Sequence, residues 1–187
     1  YTRTSSIYEE SKKELKKLCI ICVCLFLTNC SSNSMNKLQP VEYVDLDKFM
    51  GDWYVIANIP TWIEKGAHNA LEQYFWNDKG YIDVVFSFNQ DSFAGASKKL
   101  TQKAFIYNKI SNAEWRIQPF WPLKLPYIVI DLDEEYTYTV IGYPSRKFLW
   151  IMSRSKSLNE QTLNKIYEKL EAQGYDTSLI EKVPHSE

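Results

Sequence analysis

The feature that most constrains the fold of this 187-residue chain is a series of short segments rich in Val, Ile, Tyr, Phe and Trp. The segments recur at a spacing of about 10 residues and are separated by turn residues, a pattern typical of an antiparallel sandwich or barrel. The turn at residues 77–80 ends in a glycine, as hairpin turns often do. We predict eight strands, near residues 52–60, 70–77, 81–89, 98–107, 113–119, 126–132, 136–142 and 147–153.

Alternation along two of these segments predicts which faces are buried. In 81–89 the apolar residues Ile82, Val84, Phe86 and Phe88 share one face, and a strand period of two makes that face the inward one. The segment 147–153 is apolar on both faces, so its outer face must be covered as well.

One amphipathic helix can supply that cover. Ser157 followed by Glu160 has the spacing of a capping box, and Gly174 stands where a helix-ending glycine belongs. A single apolar stripe lies between them, formed by Leu163, Ile166, Tyr167 and Leu170. Residues 175–183 are predicted to be extended and to add one short strand. The predicted fold class is all-β: an eight-stranded antiparallel up-and-down barrel with one C-terminal α-helix packed on the outside.

The N-terminal region has the pattern of a secretion signal. Two lysines, Lys16 and Lys17, precede an apolar run over residues 18–27, which is shorter than the roughly 20 residues that span a bilayer. The run ends in Leu27-Thr28-Asn29-Cys30, which resembles a bacterial lipobox with Asn29 where Gly, Ala or Ser is usual. This resemblance implies that Cys30 receives acyl chains. A buried N-terminal helix and an uncleaved anchor are the alternatives.

Three segments follow from this interpretation. Residues 1–30 form the signal peptide, residues 31–40 a flexible tether, and residues 41–187 the barrel domain. Residues 1–14 do not fit a signal peptide, and we hypothesise that they are a spurious extension and that translation begins at Leu15, read from an alternative start codon.

Composition excludes several classes of function. With 22 basic and 23 acidic side chains the formal net charge is −1, so we expect no nucleic-acid partner. All four cysteines lie within the first 30 residues, so the remainder can form no internal disulfide, no thiolate zinc site and no thiol nucleophile. The chain has two histidines, His68 and His185. We therefore expect no metal site and no cofactor.

Three ordered motifs resemble those of the lipocalin family. Gly51-Asp52-Trp53-Tyr54 matches the family's Gly-x-Trp signature, residues 131–136 resemble its second motif, and residues 148–154 resemble its third, which ends in Arg. Together they extend over residues 42–183. With the lipobox, the chain resembles the bacterial outer-membrane lipoprotein lipocalins, and residues 64–66 and 174–176 are similar to that subgroup.

The resemblance implies structural roles for four residues. Trp53 is expected to fill the closed end of the barrel, with the Arg154 guanidinium stacked on its indole in a cation–π contact. Gly51 would allow close approach where the first strand begins, and Asp133 would stabilise the loop between the sixth and seventh strands. Acid–base catalysis by Asp131 and Asp133 is the less favoured alternative, because paired acids in a turn usually accept hydrogen bonds from the backbone.

The interior of the barrel is the predicted binding site. Glu72 falls on the inward face, where a carboxylate is costly unless it is solvated, hydrogen-bonded or in contact with a ligand head group. A solid core is the alternative for this set, and the apolar loop at residues 120–125 either lines the mouth or contacts a lipid surface or a partner. The predicted cavity residues are Glu72, Tyr74, Trp76, Val84, Phe86, Phe88, Phe105, Trp115, Ile117, Tyr127, Val129, Phe148 and Trp150.

Three functions are compatible with these patterns. The first is a lipid-anchored protein, not an enzyme, that stores or transports a fatty acid or a lysophospholipid-like amphiphile. The resemblance implies this ligand class. We also expect an outer-membrane location on the periplasmic face, and a monomer or weak homodimer. The second is a surface protein with a filled barrel that binds other proteins through its loops. The third is a lipid-modifying enzyme, for which the sequence lacks a Gly-x-Ser-x-Gly motif.

Overall fold

A computed structural model describes residues 37–186 of the chain. Eight antiparallel strands form one sheet, and because β1 pairs with both β2 and β8 the sheet closes into an up-and-down barrel. The strands are β1 (Gly51–Ile59), β2 (Ala67–Trp76), β3 (Ile82–Gln90), β4 (Ser97–Ile106), β5 (Glu114–Gln118), β6 (Leu125–Leu132), β7 (Tyr138–Gly142) and β8 (Leu149–Ser153).

The predicted strands are confirmed, with β2 starting three residues earlier than expected. The register of β2 shifts between His68 and Leu71, and Asn69 in that interval has φ 52°. Asparagine tolerates this left-handed conformation better than most residues. The irregularity interrupts the alternating pattern, so the sequence alone did not indicate the first part of β2.

A short helix, α1 (Leu46–Phe49), precedes β1. The Asp45 carboxylate caps it by accepting hydrogen bonds from the amides of Asp47 (3.0 Å) and Lys48 (3.3 Å). The last residue of α1, Phe49, is completely buried in the barrel core. We call this end of the barrel the closed end, and the opposite end, at the loops 60–66 and 119–124, the mouth.

The predicted outer helix, α2 (Glu160–Ala172), is confirmed. Its apolar residues Leu163, Ile166 and Leu170 pack in one cluster with Leu149 and Ile151 of β8. This packing explains why β8 is apolar on both faces.

The start of α2 differs from the prediction, whereas its end does not. The N-cap is Asn159, whose side chain accepts a hydrogen bond from the Thr162 amide (2.8 Å). The capping box expected at Ser157 is therefore wrong, because the helix starts one residue after Asn159. Gly174 follows the C-cap residue and has φ +83°, as predicted for a helix-ending glycine.

The ends of the described region both pack on the barrel. A 3₁₀ helix (Thr177–Leu179) leads into β9 (Glu181–Lys182), which pairs with β1 and confirms the predicted short strand. At the other end Leu38 is buried, and the Gln39 amide donates to the Gln173 side chain (2.9 Å).

The tether predicted over residues 31–40 is thus wrong for residues 37–40, which belong to the barrel domain. Cys30, the signal peptide and the proposed extension lie outside the described residues. Within residues 37–186, neither α-helix has the length and apolar composition needed to cross a membrane.

Candidate functional site

The closed end of the barrel is filled by aromatic side chains. The Phe49 ring centre lies 5.2 Å from that of Trp53 and 5.1 Å from that of Trp115, and all three side chains are inaccessible to solvent. The Trp53 indole also donates a hydrogen bond to the Phe49 carbonyl (2.8 Å). Among the described residues, these side chains pack against one another at the closed end.

Arg154 covers Trp53 from outside the barrel. Its guanidinium carbon lies 3.7 Å from the centre of the Trp53 ring, so the expected cation–π contact is present. The same guanidinium donates hydrogen bonds to four backbone carbonyls, those of residues 48, 49, 50 and 52. Gly51 has φ +94°, and a Cβ there would lie 3.5 Å from an Arg154 nitrogen. These contacts support structural roles for Gly51, Trp53 and Arg154.

Asp133 stabilises the loop between β6 and β7. Its carboxylate accepts hydrogen bonds from the amides of Thr137 (2.6 Å) and Tyr138 (2.9 Å) and from the Thr137 hydroxyl (2.9 Å). Asp131 instead forms an ion pair with Lys169 of α2 (2.8 Å). Each carboxylate thus has a structural partner, which favours the structural interpretation over the catalytic one.

The half of the barrel nearer the mouth contains a cavity of about 520 Å³. The structure therefore favours a hollow interior over the wholly filled barrel that was the alternative. The lining is mainly apolar and aromatic and consists of Thr61, Trp62, Ile63, Glu64, Glu72, Val84, Phe86, Leu100, Thr101, Gln102, Ile117, Pro119, Phe120, Leu123, Leu125, Pro126, Tyr127, Tyr143, Phe148 and Trp150.

Seven of the thirteen predicted cavity residues line this space. They come from five different strands and the end of the β7–β8 loop, and the barrel brings them together although they are distant in sequence. Their contact with a ligand stays a prediction. They are Glu72, Val84, Phe86, Ile117, Tyr127, Phe148 and Trp150.

Four predicted cavity residues are buried in packed core instead of lining the cavity. Tyr74, Trp115 and Val129 lie in the core cluster that also contains Phe49, and Phe88 packs on Phe86 with ring centres 5.2 Å apart. Their inward orientation is as expected. For Tyr74 and Trp115 the prediction of a cavity position is wrong because the Phe49 ring packs on both, with ring centres 5.4 Å and 5.1 Å apart. Phe88 lies towards the mouth end of β3, where it packs on Phe86 and does not line the cavity.

Two predicted cavity residues lie outside the barrel interior. On β4 the buried residue is Ala104, so its neighbour Phe105 is on the outer face, where it contacts Tyr81 and the Lys124 ammonium. Trp76 is 47% exposed and donates its indole N–H to Asp47 beside α1 (2.9 Å). Trp76 has the same parity in β2 as the inward residues Glu72 and Tyr74. It is nevertheless exposed because the end of β2 extends beyond the closed end of the barrel.

Glu72 lies at the boundary between the filled half and the cavity. The Tyr74 hydroxyl donates a hydrogen bond to its carboxylate, and the Tyr127 hydroxyl lies 2.6 Å from that of Tyr74. Burial is the main cause that raises the pKa of Glu72 to about 7; the hydrogen bond from Tyr74 opposes this shift, and repulsion from Glu64 adds to it. Burial likewise raises the pKa of both tyrosines, which therefore remain uncharged donors.

Glu64 is a second buried carboxylate that lines the cavity. It lies in the loop between β1 and β2, where it accepts hydrogen bonds from the Trp150 indole (3.0 Å) and the Thr61 amide (2.8 Å). Burial raises its pKa, whereas these hydrogen bonds lower it. The loop, rather than a strand, thus supplies an acid to the cavity wall.

Several lining residues were missed by sequence reasoning. Glu64 was identified only within the motif at residues 64–66. It lies in a loop, where no strand alternation predicts which way a side chain points. Gln102 was missed because Phe105 was assigned to the inward face of β4. Lys99 and Lys103 share the face of Phe105 and are exposed, which was an available signal that this face points outward.

The mouth is surrounded by exposed apolar side chains. Trp62 is 84% exposed in the loop 60–66, and Trp121 (84%) and Phe120 (64%) are exposed in the loop 119–124. Because Trp62 and Phe120 also line the cavity, the cavity reaches solvent here. The apolar loop therefore both lines the mouth and presents an exposed surface.

The histidines lie away from the cavity. His68 contacts the Gly66 carbonyl (3.0 Å) and the Phe93 ring, and His185 contacts the Val55 carbonyl (2.8 Å). Over the described part of the chain, no group of three or more His, Cys, Asp or Glu side chains is arranged to hold a metal ion. The site is thus an apolar cavity with two acids, suited to non-covalent binding.

Comparison with known proteins identifies relatives that cover most of the chain. Residues 44–185 match the family described as a Lipocalin-like domain. The chain is 30% identical over 159 residues to Temperature-induced lipocalin-1 of Arabidopsis thaliana, covering 81% of this chain and 84% of that protein. It is 26% identical to Outer membrane lipoprotein Blc of Vibrio cholerae serotype O1, covering 84% and 92% respectively.

Solved structures show the same fold. Insecticyanin from the tobacco hornworm Manduca sexta superimposes with a TM-score of 0.62 at 22% identity, covering 80% of this chain and 85% of insecticyanin. At this identity the likeness concerns the fold alone. Together, the family match and the cavity support the binding of a small hydrophobic ligand.

Proposed function

This chain belongs to the lipocalin family, and from that premise we propose that it is a membrane-anchored lipid-binding protein. It stores or transports a fatty acid or a lysophospholipid-like amphiphile in the cell envelope. The observation that carries this proposal is the 520 Å³ cavity with a mainly apolar and aromatic lining. Ligand sites for small molecules typically have volumes of about 300–1,000 Å³.

The energetics of burial support an amphiphile with a long chain. Burying about 15 methylenes contributes roughly 12 kcal/mol before costs. Loss of ligand and side-chain freedom offsets several kcal/mol of this gain. The remainder corresponds to micromolar affinity or better.

Membrane attachment is the second part of the proposal. Acylation of Cys30 would anchor the chain stably if more than one acyl chain were added. The similarity to bacterial proteins named outer membrane lipoproteins supports an outer-membrane location, and we propose the periplasmic face. The exposed aromatic residues Trp62, Phe120 and Trp121 give the mouth a surface that can contact lipid.

We propose that the protein binds its ligand without transforming it. Glu64 and Glu72 line the cavity but have no adjacent histidine, serine or metal cluster among the described residues with which to form a catalytic group. The two other paired acids, Asp131 and Asp133, are engaged in an ion pair and a loop cap.

A cavity-filling variant tests the proposal. Native mass spectrometry and lipid extraction of the purified full-length protein are expected to reveal a bound amphiphile. Leu100→Trp places a larger side chain in the cavity lining and should reduce bound lipid by about tenfold or more, because overpacking leaves less volume for the chain. Phe105→Trp, on the outer face of the same strand, is the matched control and should retain the lipid.

The result that contradicts the proposal is equally specific. A wild-type protein that carries no lipid and binds none when lipids are added would show that the cavity has another use. Equal lipid content in the Leu100→Trp and wild-type proteins would show that lipid binds elsewhere on the surface.

A further inference from the structure

The cavity lining is asymmetric in charge. Among the described lining residues, Glu64 and Glu72 are the only carboxylic acids, and none is lysine, arginine or histidine. The glutamates are 8% and 7% exposed, so both carboxylates are removed from bulk water. The cavity therefore combines an apolar wall with two acids and no basic side chain in its lining.

We infer that the cavity selects hydrophobic ligands that carry a positively charged amino group, which donates hydrogen bonds to Glu72 and Glu64. This inference rests on the proposed function, because it concerns the ligand class of the same cavity. It refines that function by favouring amine-bearing amphiphiles over the anionic fatty acids that were also considered.

The hydrogen bonding of Glu72 leaves an acceptor available. Tyr74 donates to one carboxylate oxygen, and no other described side chain or amide donates to the carboxylate. Buried carboxylates normally accept several hydrogen bonds, since burial without partners is costly. The second oxygen of Glu72 therefore has no donor among the described residues, and Glu72 belongs to the cavity lining.

Glu64 and the two tyrosines fix the position of this acceptor. Tyr127 and Tyr74 form a chain of hydroxyls that holds Glu72 from the side of the closed end. Glu64 is held on the mouth side by Trp150 and Thr61, each of which uses one of its oxygens. An ammonium has three donors and no acceptor, which matches a pocket whose ionised groups are acceptors only.

The sign of the charge decides between ligand classes. An ammonium that contacts Glu72 would form an ion pair with a buried carboxylate, and such a pair is stronger than one in bulk water. A fatty-acid carboxylate at the same place would be repelled by both glutamates, and like-charge juxtaposition of this kind is a common means of rejecting a wrong ligand.

The titration of Glu72 supports this selection. Its pKa of about 7 means that the carboxyl is partly protonated near neutral pH. A bound cation favours the ionised form, so the binding of an amine should release protons from Glu72. The titratable groups that face Glu72 are Glu64, Tyr74 and Tyr127, and the tyrosines remain neutral.

The test is a ligand series with one chain length. Isothermal titration of the full-length, delipidated protein with dodecylamine, dodecanol and dodecanoate would be carried out at about pH 8, below micelle-forming concentrations. We expect the amine to bind at least about tenfold more tightly than the acid, with the alcohol between them. Near pH 7, titrations in buffers of different ionisation enthalpy should show proton release for the amine alone.

Two variants identify the carboxylates responsible. Glu72→Gln should weaken amine binding by about tenfold and remove the proton release, while dodecanol affinity changes by less than about threefold. Glu64→Gln provides an independent variant with a smaller loss of amine affinity. Glu135→Gln, an exposed acid in the β6–β7 loop, is the matched control and should bind like wild type.

The outcomes separate the inference from the proposed function. If all three ligands bind with equal affinity, or if dodecanoate binds most tightly, charge selection is overturned while lipid binding stands. If amine preference persists unchanged in both Glu72→Gln and Glu64→Gln, the inference is also overturned. If none of the three ligands binds, the proposed function itself fails.

Discussion

The two halves of the barrel interior are built from the same strands but have opposite properties. At the closed end, the Phe49 ring packs on those of Trp53 and Trp115 with centres about 5 Å apart, and all three side chains are fully buried. Towards the mouth, the same alternation of inward side chains surrounds a 520 Å³ cavity. Strand pattern alone therefore does not decide whether a barrel of this size is solid or hollow.

The difference arises from what the connecting segments add to each end. Helix α1 inserts Phe49 into the closed end, and Arg154 covers Trp53 from outside. At the mouth, the loops 60–66 and 119–124 place their aromatic residues around the opening instead of filling it. One end thus supplies stability, and the other end is free to bind a ligand.

The largest expected effect is a difference in the free energy of unfolding between tryptophan substitutions at the two ends of the barrel. Trp53→Ala should lower the free energy of unfolding by about 3–5 kcal/mol, since it opens a cavity in the packed end. Trp62→Ala, at the exposed mouth, should change it by less than about 0.5 kcal/mol. Urea denaturation of both variants measures the contrast, and comparable losses would contradict the division.

A second test uses the pH dependence of stability at the boundary between the halves. Because folding raises the pKa of Glu72 from 4.5 to about 7, the protonated carboxyl stabilises the fold below about pH 4.5. This stabilisation is lost as the pH rises through 7. The loss amounts to about 3 kcal/mol.

Glu72→Gln removes this titration and should therefore be the more stable protein at high pH. Its advantage over wild type should grow by about 3 kcal/mol between pH 4 and pH 8, as measured by urea denaturation at several pH values. Glu135→Gln should follow the wild-type profile. If the free energies of unfolding of wild type and Glu72→Gln changed in parallel with pH, folding would not raise the pKa of Glu72.

The smallest of the three effects compares two cation–π contacts. Arg154→Ala should destabilise the closed end by about 2 kcal/mol, because it removes both the contact with Trp53 and hydrogen bonds to the carbonyls around α1. Arg116→Ala removes a contact with Tyr107, whose side chain is 64% exposed. This control should cost about 0.5 kcal/mol. Thermal unfolding of both proteins ranks them, and equal shifts would contradict a special role for Arg154.

The strand pattern predicted the fold well because the local signals agree with the tertiary structure. Alternation in β3 identified Val84 and Phe86 as inward, and the two-sided apolar pattern of β8 predicted a cover that α2 provides. The end of α2 followed from Gly174, since a positive φ at that position favours glycine.

The site was less predictable because its properties depend on three-dimensional packing. Tyr74 and Trp115 point inward as expected, but whether they line a cavity depends on Phe49, which enters from α1. Glu64 reaches the cavity from a loop, where no period indicates direction. Phe105 was assigned to the inward face because it is aromatic, in spite of the lysines on the same face of β4. It lies on the outer face, where it contacts Lys124 and Tyr81.

The hydrogen bond between Trp150 and Glu64 joins a fluorophore to an acid at the cavity wall. Ionisation of that acid, or arrival of a guest beside it, changes the electric field at the indole. We therefore expect the emission of Trp150 to respond to occupancy of the cavity, whereas the fully buried Trp53 and Trp115 should respond to loss of the folded barrel. Different tryptophans of the same protein are thus placed to report on the cavity and on the folded barrel.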